Sequence, residues 1–185
     1  MKHLLSLALL GAGGMAASVM PSFQQHPLKA KFARRCFAHR GLFDNESCCE
    51  NTLSAFAAAA DAGYGIELDL QMTADGQIVV FHDEDLSRMC SVPISIEGSA
   101  YSQLKNYFLK NTQETIPLFS EVLKLVNGRV PLIVEIKSTE KIDLVCLKVY
   151  DLLRRYRGDY CIESMNPLIV GWFAKNAPQI MRGQL

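Results

Sequence analysis

The stretch GYGIELDLQMTADGQIVVFHD, residues 63–83, decides the fold, because it places charged residues inside runs of apolar, strand-forming residues. Glu67 and Asp69 lie two positions apart, so their side chains share one face of a strand. The next apolar run ends on His82. A buried carboxylate is unfavourable unless it is paired or binds a metal ion. The stretch therefore predicts either one wall of a functional site or a strand on the protein surface.

The connection between these two runs is short. Seven residues separate Leu70 from Ile78, too few for a helical crossover, and the ADG sequence at 74–76 favours a turn. A hairpin that turns at 74–75 pairs Glu67 with His82, whereas one that turns at 75–76 pairs Asp69 with His82. An extended return outside a barrel also brings His82 beside the end of the preceding strand. Each route predicts that the histidine lies near the carboxylates.

Strand-like and helix-like segments alternate from residue 35 onward. Strands are predicted at RCFAHR (35–40), YGIELDL (64–70), QIVVFHD (77–83), VPLIVEIK (130–137), DYCIES (159–164) and QIMRGQL (179–185). Helices are predicted at NTLSAFAAAADAG (51–63), with Asn51 as N-cap, and at 116–128, 141–158 and 166–178. Residues 84–116 are less regular and read as a surface excursion. The alternation predicts an α/β fold with a parallel sheet, open or closed into a barrel.

Polar residues collect where the predicted strands end, and in α/β folds ligands bind at the carboxyl ends of the strands. The candidate site residues are His39 and Arg40 after the first strand, Glu67 and Asp69 on the second, His82 after the third, and Glu135 and Lys137 on the fourth.

These residue types fit one chemistry. Three carboxylates supply hard oxygen ligands, which suit one divalent cation, Ca²⁺ or Mg²⁺, better than zinc. Arg40 and Lys137 can bind a phosphate, and two histidines can exchange protons near neutral pH. Together they indicate the cleavage of a phosphate ester.

Charge and hydropathy limit the classes of partner that the sequence allows. Nineteen basic and nineteen acidic residues cancel, which argues against a nucleic-acid partner. Residues 1–22 are almost free of charge and predict a hydrophobic anchor or signal segment, followed by a basic linker at 23–35 and the main domain at 36–185. The basic residues after the apolar segment favour a membrane-associated protein with its domain on the cytoplasmic face, with a secreted or outward-facing protein as the alternative.

Six blocks of the sequence resemble, in the same order, the signature blocks of the glycerophosphodiester phosphodiesterase family. They are AHRG (38–41), ENTLSAF (50–56), residues 63–83 as quoted above, IPLFSEVL (116–123), LIVEIK (132–137) and ESMNP (163–167). The resemblance implies a TIM barrel that hydrolyses glycerophosphodiesters to glycerol 3-phosphate and an alcohol. It implies that His39 and His82 are the general acid and base, that Glu67, Asp69 and Glu135 bind the metal, and that Arg40 and Lys137 hold the phosphate. The hydrophobic N-terminus resembles that of membrane-anchored bacterial members.

The length of the chain leads to a further expectation. A TIM barrel has eight strands and typically about 250 residues, whereas this sequence of 185 residues yields six strands. We therefore expect an incomplete, C-terminally truncated barrel, which is a fragment, is completed by a second chain, or is poorly stable. Two alternatives to the glycerophosphodiesterase stay open: a related phospholipase D-like or phosphoinositide-cleaving enzyme, and an inactive remnant that binds phosphate or a partner.

Overall fold

Six strands form one sheet in the computed structural model, which describes residues 26–185. They are β1 (Phe37–His39), β2 (Gly65–Met72), β3 (Ile78–Val80), β4 (Leu132–Ile136), β5 (Tyr160–Ser164) and β6 (Met181–Gln184). Five strands run parallel in the order β1-β2-β4-β5-β6, and β3 pairs with β2 alone. This arrangement confirms the predicted α/β class with a largely parallel sheet.

The connection between β2 and β3 is a hairpin, as its length predicts, but its register differs from both predicted registers. Met72 pairs with Ile78 and Leu70 with Val80 in an antiparallel ladder. The turn occupies residues 74–76, with Thr73 N–H donating to Gln77 O at 2.9 Å and Gly76 at φ 76°. A three-residue turn that ends on a left-handed glycine shifts the pairing by one residue relative to either two-residue turn. The third strand is therefore antiparallel, and the parallel strands number five among the described residues.

Helices accompany the strands, and the four longest of them pack against the sheet. Within residues 26–185 they are α1 (Lys29–Ala33), α2 (Leu53–Asp61), α3 (Ser87–Cys90), α4 (Tyr101–Leu104), α5 (Phe119–Val126), α6 (Ile142–Leu153) and α7 (Pro167–Asn176). Helix α5 shows how they form, because its residues at helical spacing, Phe119, Val122, Leu123 and Val126, are buried. Helix α7 begins on Pro167, at the position where a missing N–H costs least.

The N-cap of α2 differs from the prediction. Thr52, not Asn51, caps the helix, and its side chain accepts a hydrogen bond from Ala55 N–H. Asn51 has a left-handed φ of 57°, and its side chain points away from the helix towards β2. Asn51 and Thr52 are both favourable N-cap residues, and the sequence alone does not select between them.

The segment predicted as a surface excursion has a core of its own. Leu86, Met89, Ile96, Leu104 and Leu109 are fully or almost fully buried in a cluster separate from the main core. A bridge between Val79 and Leu118 joins the segment's far end to β3. This packing fixes α3 beside the end of the β2–β3 hairpin.

The basic residues before β1 are partly engaged with the domain. Lys31 forms an ion pair with Asp159, and Arg35 donates to Gly63 O at 2.9 Å. Phe32 is buried and stacks on Phe37 at 5.4 Å between ring centroids. The predicted anchor at residues 1–22 lies outside the described residues. Between residues 26 and 185, the helices are too short or too polar to cross a bilayer.

Candidate active site

Three acidic side chains converge on one face of the sheet, two of them from β2 and one from β4. Glu67 and Asp69 alternate on β2, and Asp69 pairs in register with Glu135 on the neighbouring strand β4. One carboxylate oxygen from each of the three lies within 4.8 Å of the others, and all three residues are buried. The parallel register thus gathers residues that are 66 positions apart in the sequence.

The electrostatics of this cluster fit a divalent cation. Burial raises the pKa of Glu67 to about 8, with further contributions from the charges of Asp69, Glu135 and Glu163. Burial and the neighbouring carboxylates both disfavour the charged form of Glu67, and a bound cation would favour it. All three donors are hard oxygens, the ligands that Ca²⁺ and Mg²⁺ prefer. The residues present therefore fit the predicted cation, although they do not distinguish Ca²⁺ from Mg²⁺.

Lys137 lies between two members of the cluster. Its Nζ is 2.7 Å from Asp69 Oδ1 and 2.8 Å from Glu135 Oε1. Burial raises the pKa of Asp69, but hydrogen bonds from Lys137 and Asn51 outweigh this effect and lower it overall. Burial likewise disfavours the charged lysine, and the two carboxylates outweigh it, so that the pKa of Lys137 is raised. Lys137 therefore carries its positive charge inside the acidic cluster.

His39 and Arg40 reach the same place from the end of β1. His39 Nε2 is 3.8 Å from Glu67 Oε2, and the backbone N–H of Arg40 donates to the same oxygen at 3.0 Å. The Arg40 side chain is largely buried, with Nη1 2.9 Å from Glu50 Oε1 and Nε 3.4 Å from Asp69 Oδ2. Arg40 has φ 58°, a left-handed conformation that is uncommon outside glycine and that turns the chain sharply after β1.

His82 follows β3 and is held by two neighbours. Its Nδ1 is 2.7 Å from Asp83 Oδ1, and a carboxylate oxygen can only accept, so Nδ1 carries the proton. The buried Gln71 side chain donates to Phe81 O at 2.9 Å and to Asp83 O at 2.6 Å, the carbonyls on either side of His82. The backbone N–H of Phe81 donates to Asp69 O at 3.0 Å, so the chain places His82 next to a residue that is bonded to β2 at Asp69.

The structure brings all seven predicted site residues to one end of the sheet. Six of them lie within 4.8 Å of another member: His39, Arg40, Glu67, Asp69, Glu135 and Lys137. His82 directly follows Phe81, whose N–H donates to Asp69 O. Their chemical roles stay predictions.

Four further residues complete the site and were not predicted as members. Asn51 donates to Asp69 Oδ2 at 2.8 Å, and Gln71 orients the chain around His82. Glu50 and Arg88 form a charged link at the rim of the site. Glu67, Asp69 and Gln71 alternate along β2, so Gln71 had a sequence signal, whereas Arg88 lies in the irregular segment and had none.

Two polar residues at the end of β5 and just after it have structural contacts. Ser164 is buried and donates to Ile136 O at 2.6 Å, and the Asn166 side chain accepts from Leu168 N–H at 3.0 Å as the N-cap of α7. Both residues therefore tie β5 and α7 to the sheet.

Comparisons with known proteins extend this picture. Residues 39–178 match the model of the glycerophosphoryl diester phosphodiesterase family. A glycerophosphodiester phosphodiesterase from Caldanaerobacter subterraneus is 37% identical over 164 residues, which cover 80% of this chain and 65% of that protein. A lysophospholipase D from Rattus norvegicus is 29% identical over 153 residues, which cover 76% of this chain and 47% of that protein.

A solved structure shares the fold. The Oleispira antarctica phosphodiesterase, in complex with the product sn-glycerol-3-phosphate, is 25% identical with a TM-score of 0.76 over 84% of this chain and 67% of that chain. The likeness confirms the predicted TIM-barrel type, here with six strands described. The chain spans about half to two thirds of the length of the two curated relatives described above.

Proposed function

The chain belongs to the glycerophosphoryl diester phosphodiesterase family, and from this premise we propose that it hydrolyses glycerophosphodiesters to glycerol 3-phosphate and an alcohol. The observation that carries the proposal is the convergence of Glu67, Asp69 and Glu135 within 4.8 Å. Beside them lie two histidines and two cationic side chains, the groups that cleavage of a phosphate diester needs.

The cationic groups hold the phosphate. Arg40 and Lys137 each contact Asp69, so both cationic side chains lie beside the acidic cluster. Glu67, Asp69 and Glu135 would hold one Ca²⁺ or Mg²⁺ ion, which supplies a Lewis acid for the phosphoryl oxygens when bound. Arg40 presents a planar fork of donors and Lys137 a point charge, so Arg40 orients the phosphate and Lys137 offsets its charge.

The two histidines move the protons. Asp83 accepts the Nδ1 proton of His82, which leaves a lone pair on Nε2 of the neutral ring. His82 is therefore suited to accept a proton from the attacking hydroxyl, either water or the neighbouring hydroxyl of the glycerol. As the new P–O bond forms, the bond to the alcohol breaks, and His39 donates a proton to the departing oxygen. Attack by water gives glycerol 3-phosphate directly. Attack by the glycerol hydroxyl gives a cyclic phosphate, which water then opens while the two histidines exchange roles. His39 is well placed for exchange with substrate and solvent, because its side chain is 70% exposed.

The test is hydrolysis by the purified full chain. Release of sn-glycerol 3-phosphate from glycerophosphocholine is measured with Ca²⁺, with Mg²⁺ and with a chelator. We expect turnover with at least one cation and its loss on chelation. Binding of sn-glycerol 3-phosphate without turnover in any condition would support the inactive remnant instead.

A second substrate class is favoured by one comparison. The similarity to a lysophospholipase D supports lysophospholipids as alternative substrates on the same scaffold. Parallel assays with glycerophosphocholine and lysophosphatidylcholine separate the two. Cleavage of either substrate releases choline, but the other product is glycerol 3-phosphate from glycerophosphocholine and lysophosphatidic acid from lysophosphatidylcholine.

The location of the protein is a separate part of the proposal. The apolar segment at 1–22 anchors the chain in the membrane, and the basic residues that follow hold the domain on the cytoplasmic face. Leu9→Lys combined with Leu10→Lys should release the full chain from washed membranes. Protease digestion of sealed cells distinguishes a cytoplasmic from an outward-facing domain.

A further inference from the structure

Arg88, on the short helix α3, contacts two acidic residues through separate edges of its guanidinium group. Nε is 2.6 Å from Asp83 Oδ2 and Nη2 is 3.2 Å from Asp83 Oδ1. Nη1 is 3.0 Å from Glu50 Oε2, and Nη2 is 2.7 Å from Glu50 Oε1. Arg88 therefore engages both oxygens of both carboxylates, a geometry that the planar fork of an arginine allows.

The two carboxylates lead to different parts of the site. Asp83 accepts the Nδ1 proton of His82 at 2.7 Å. Glu50, which is buried, accepts from Arg40 Nη1 at 2.9 Å. One continuous chain of charged contacts thus runs from a histidine on the β3 side to an arginine on the β1 side, with Arg88 at its centre.

Both carboxylates are held in the charged form. Burial acts to raise the pKa of Glu50, but hydrogen bonds from Arg88 and Arg40 outweigh it and bring the pKa to about 2. Burial likewise opposes the charge of Asp83, and the hydrogen bonds from Arg88 and His82 lower its pKa overall. Each acid therefore stays an acceptor for its two partners throughout the neutral range.

We propose that Arg88 is a positioning residue that couples His82 to Arg40, so that the proton-accepting ring and the phosphate-binding guanidinium are oriented as one unit. Arg88 acts through Asp83 and Glu50 and touches neither the substrate nor the reacting atoms. The importance of Arg88 for catalysis rests on the proposed function. The orientation of His82 and Arg40 can be measured without turnover.

The conservative variant Arg88→Lys tests this role. Lysine keeps the positive charge, but a single ammonium group cannot pair with both oxygens of two carboxylates. Arg154→Lys is the matched control, because Arg154 contacts one acidic residue, Asp151, on the exposed face of α6. Thermal unfolding and circular dichroism of both variants report whether the fold is kept.

Two measurements on the metal-loaded full chain read the orientation directly. Imidazole ¹⁵N shifts of His82, assigned by comparison with His82→Gln, give the tautomer of the ring. Calorimetry gives the affinity for sn-glycerol 3-phosphate. In Arg88→Lys we expect the Nδ1–H tautomer to lose its dominance and the affinity to fall about tenfold, equivalent to about 1.4 kcal/mol, although His82 and Arg40 are unchanged.

The outcomes separate this role from the proposed function. A changed tautomer and weaker binding in Arg88→Lys, with Arg154→Lys like the parent, support the coupling even if the parent shows no turnover. An unchanged tautomer and unchanged affinity in a folded Arg88→Lys variant overturn the coupling, whatever the parent's activity. If the parent turns over, a kcat lowered together with the tautomer change supports a positioning role, and a normal kcat contradicts it.

Discussion

The side-chain amide of Asn51 donates a hydrogen bond of 2.8 Å to Oδ2 of Asp69, so the loop before α2 orients a carboxylate in the centre of β2. Removing an outer partner of a metal-binding carboxylate typically lowers metal affinity about 10–100-fold. We expect Asn51→Ala to do so, as measured by calorimetric titration of Ca²⁺ and Mg²⁺. Asn176→Ala, which removes an exposed hydrogen bond to Trp172 O, is the control. Equal cation affinity in both variants would count against Asn51 as an orienting group.

His82 is expected to be needed for turnover but not for folding. His82→Ala should lower kcat for glycerophosphocholine by about 10²–10⁴-fold, because a positioned acid–base group contributes about that much. His26→Ala, at an exposed histidine that contacts Gln179 O, should retain the parental rate. A His82→Ala variant with normal turnover and normal circular dichroism would refute its proposed role.

Glu67 makes the metal-free protein sensitive to pH. Its pKa is about 8 in the folded protein against an ordinary value of 4.5, so protonation favours the folded state. The contribution of this group is complete below about pH 4.5 and is lost as the pH rises through about 8. In chelator, the Tm of the parent should therefore fall from pH 5 to pH 9 relative to that of Glu67→Gln, which cannot ionise.

A bound cation should oppose this fall in Tm with rising pH. Metal ligands bind in their deprotonated form, so the cation competes with the proton of Glu67 and its affinity rises with pH. Titrations of Mg²⁺ or Ca²⁺ at pH 6 and pH 8.5 measure the change. A pH-independent difference in Tm between parent and Glu67→Gln in chelator would show that Glu67 ionises as an ordinary carboxylate.

Lys137 offsets the acidic cluster when no cation is bound. Its side chain is 19% exposed and lies 2.7 Å from Asp69 Oδ1, so Lys137→Met removes the cationic partner of that buried carboxylate oxygen. We expect the free energy of unfolding in chelator to fall by about 3 kcal/mol, as in other broken buried pairs. Saturating divalent cation should then raise the Tm of the variant more than that of the parent.

The exposed Lys175 provides the comparison for Lys137. Lys175→Met removes the same charge away from the cluster and should leave both the Tm in chelator and the cation-dependent shift unchanged. If Lys137→Met behaved in the same way, the lysine would not be neutralising the carboxylates.

Gln71 should affect the rate more than the binding of substrate. Gln71→Ala removes two donors, one to each carbonyl that flanks His82, and each buried carbonyl left unpaired costs about 1–3 kcal/mol. The expected result is a lower kcat with little change in KM, because the phosphate-binding residues lie on other strands. Gln103→Ala, at an exposed position of α4, is the control. A raised KM with an unchanged kcat would assign Gln71 to substrate binding instead.

The periodicity of the sequence predicted the strands and the residues that the structure brings together, because both depend on the alternation of apolar and polar residues along each strand. Glu67 and Asp69 share a face by the two-residue period of a strand, and Glu135 meets them because parallel strands end at one edge. The hairpin register could not be predicted in the same way. It depends on whether Gly76 adopts a left-handed conformation, which selects between turns that differ by one residue.

The contacts of Arg88 with Asp83 and Glu50 could not be predicted from the sequence, for a different reason. Arg88 and Glu50 lie 38 positions apart, and neither belongs to a strand. Their contact depends on how the segment around Leu86 and Met89 packs beneath β3, and tertiary packing of this kind leaves no periodic signal. Asn51 was assigned to a cap because its residue type suits one, and its real partner, Asp69, lies on another element.

The short turn at residues 74–76 also bears on how the chain folds. It joins Glu67 and Asp69 to His82 within a span of residues 67–82, whereas Glu135 lies far along the chain. Closing a small loop costs little entropy and is fast, so this hairpin is a natural early nucleus. Three of the seven candidate site residues would then be assembled before the remaining strands dock. Strain introduced at the turn would slow folding and also distort the site.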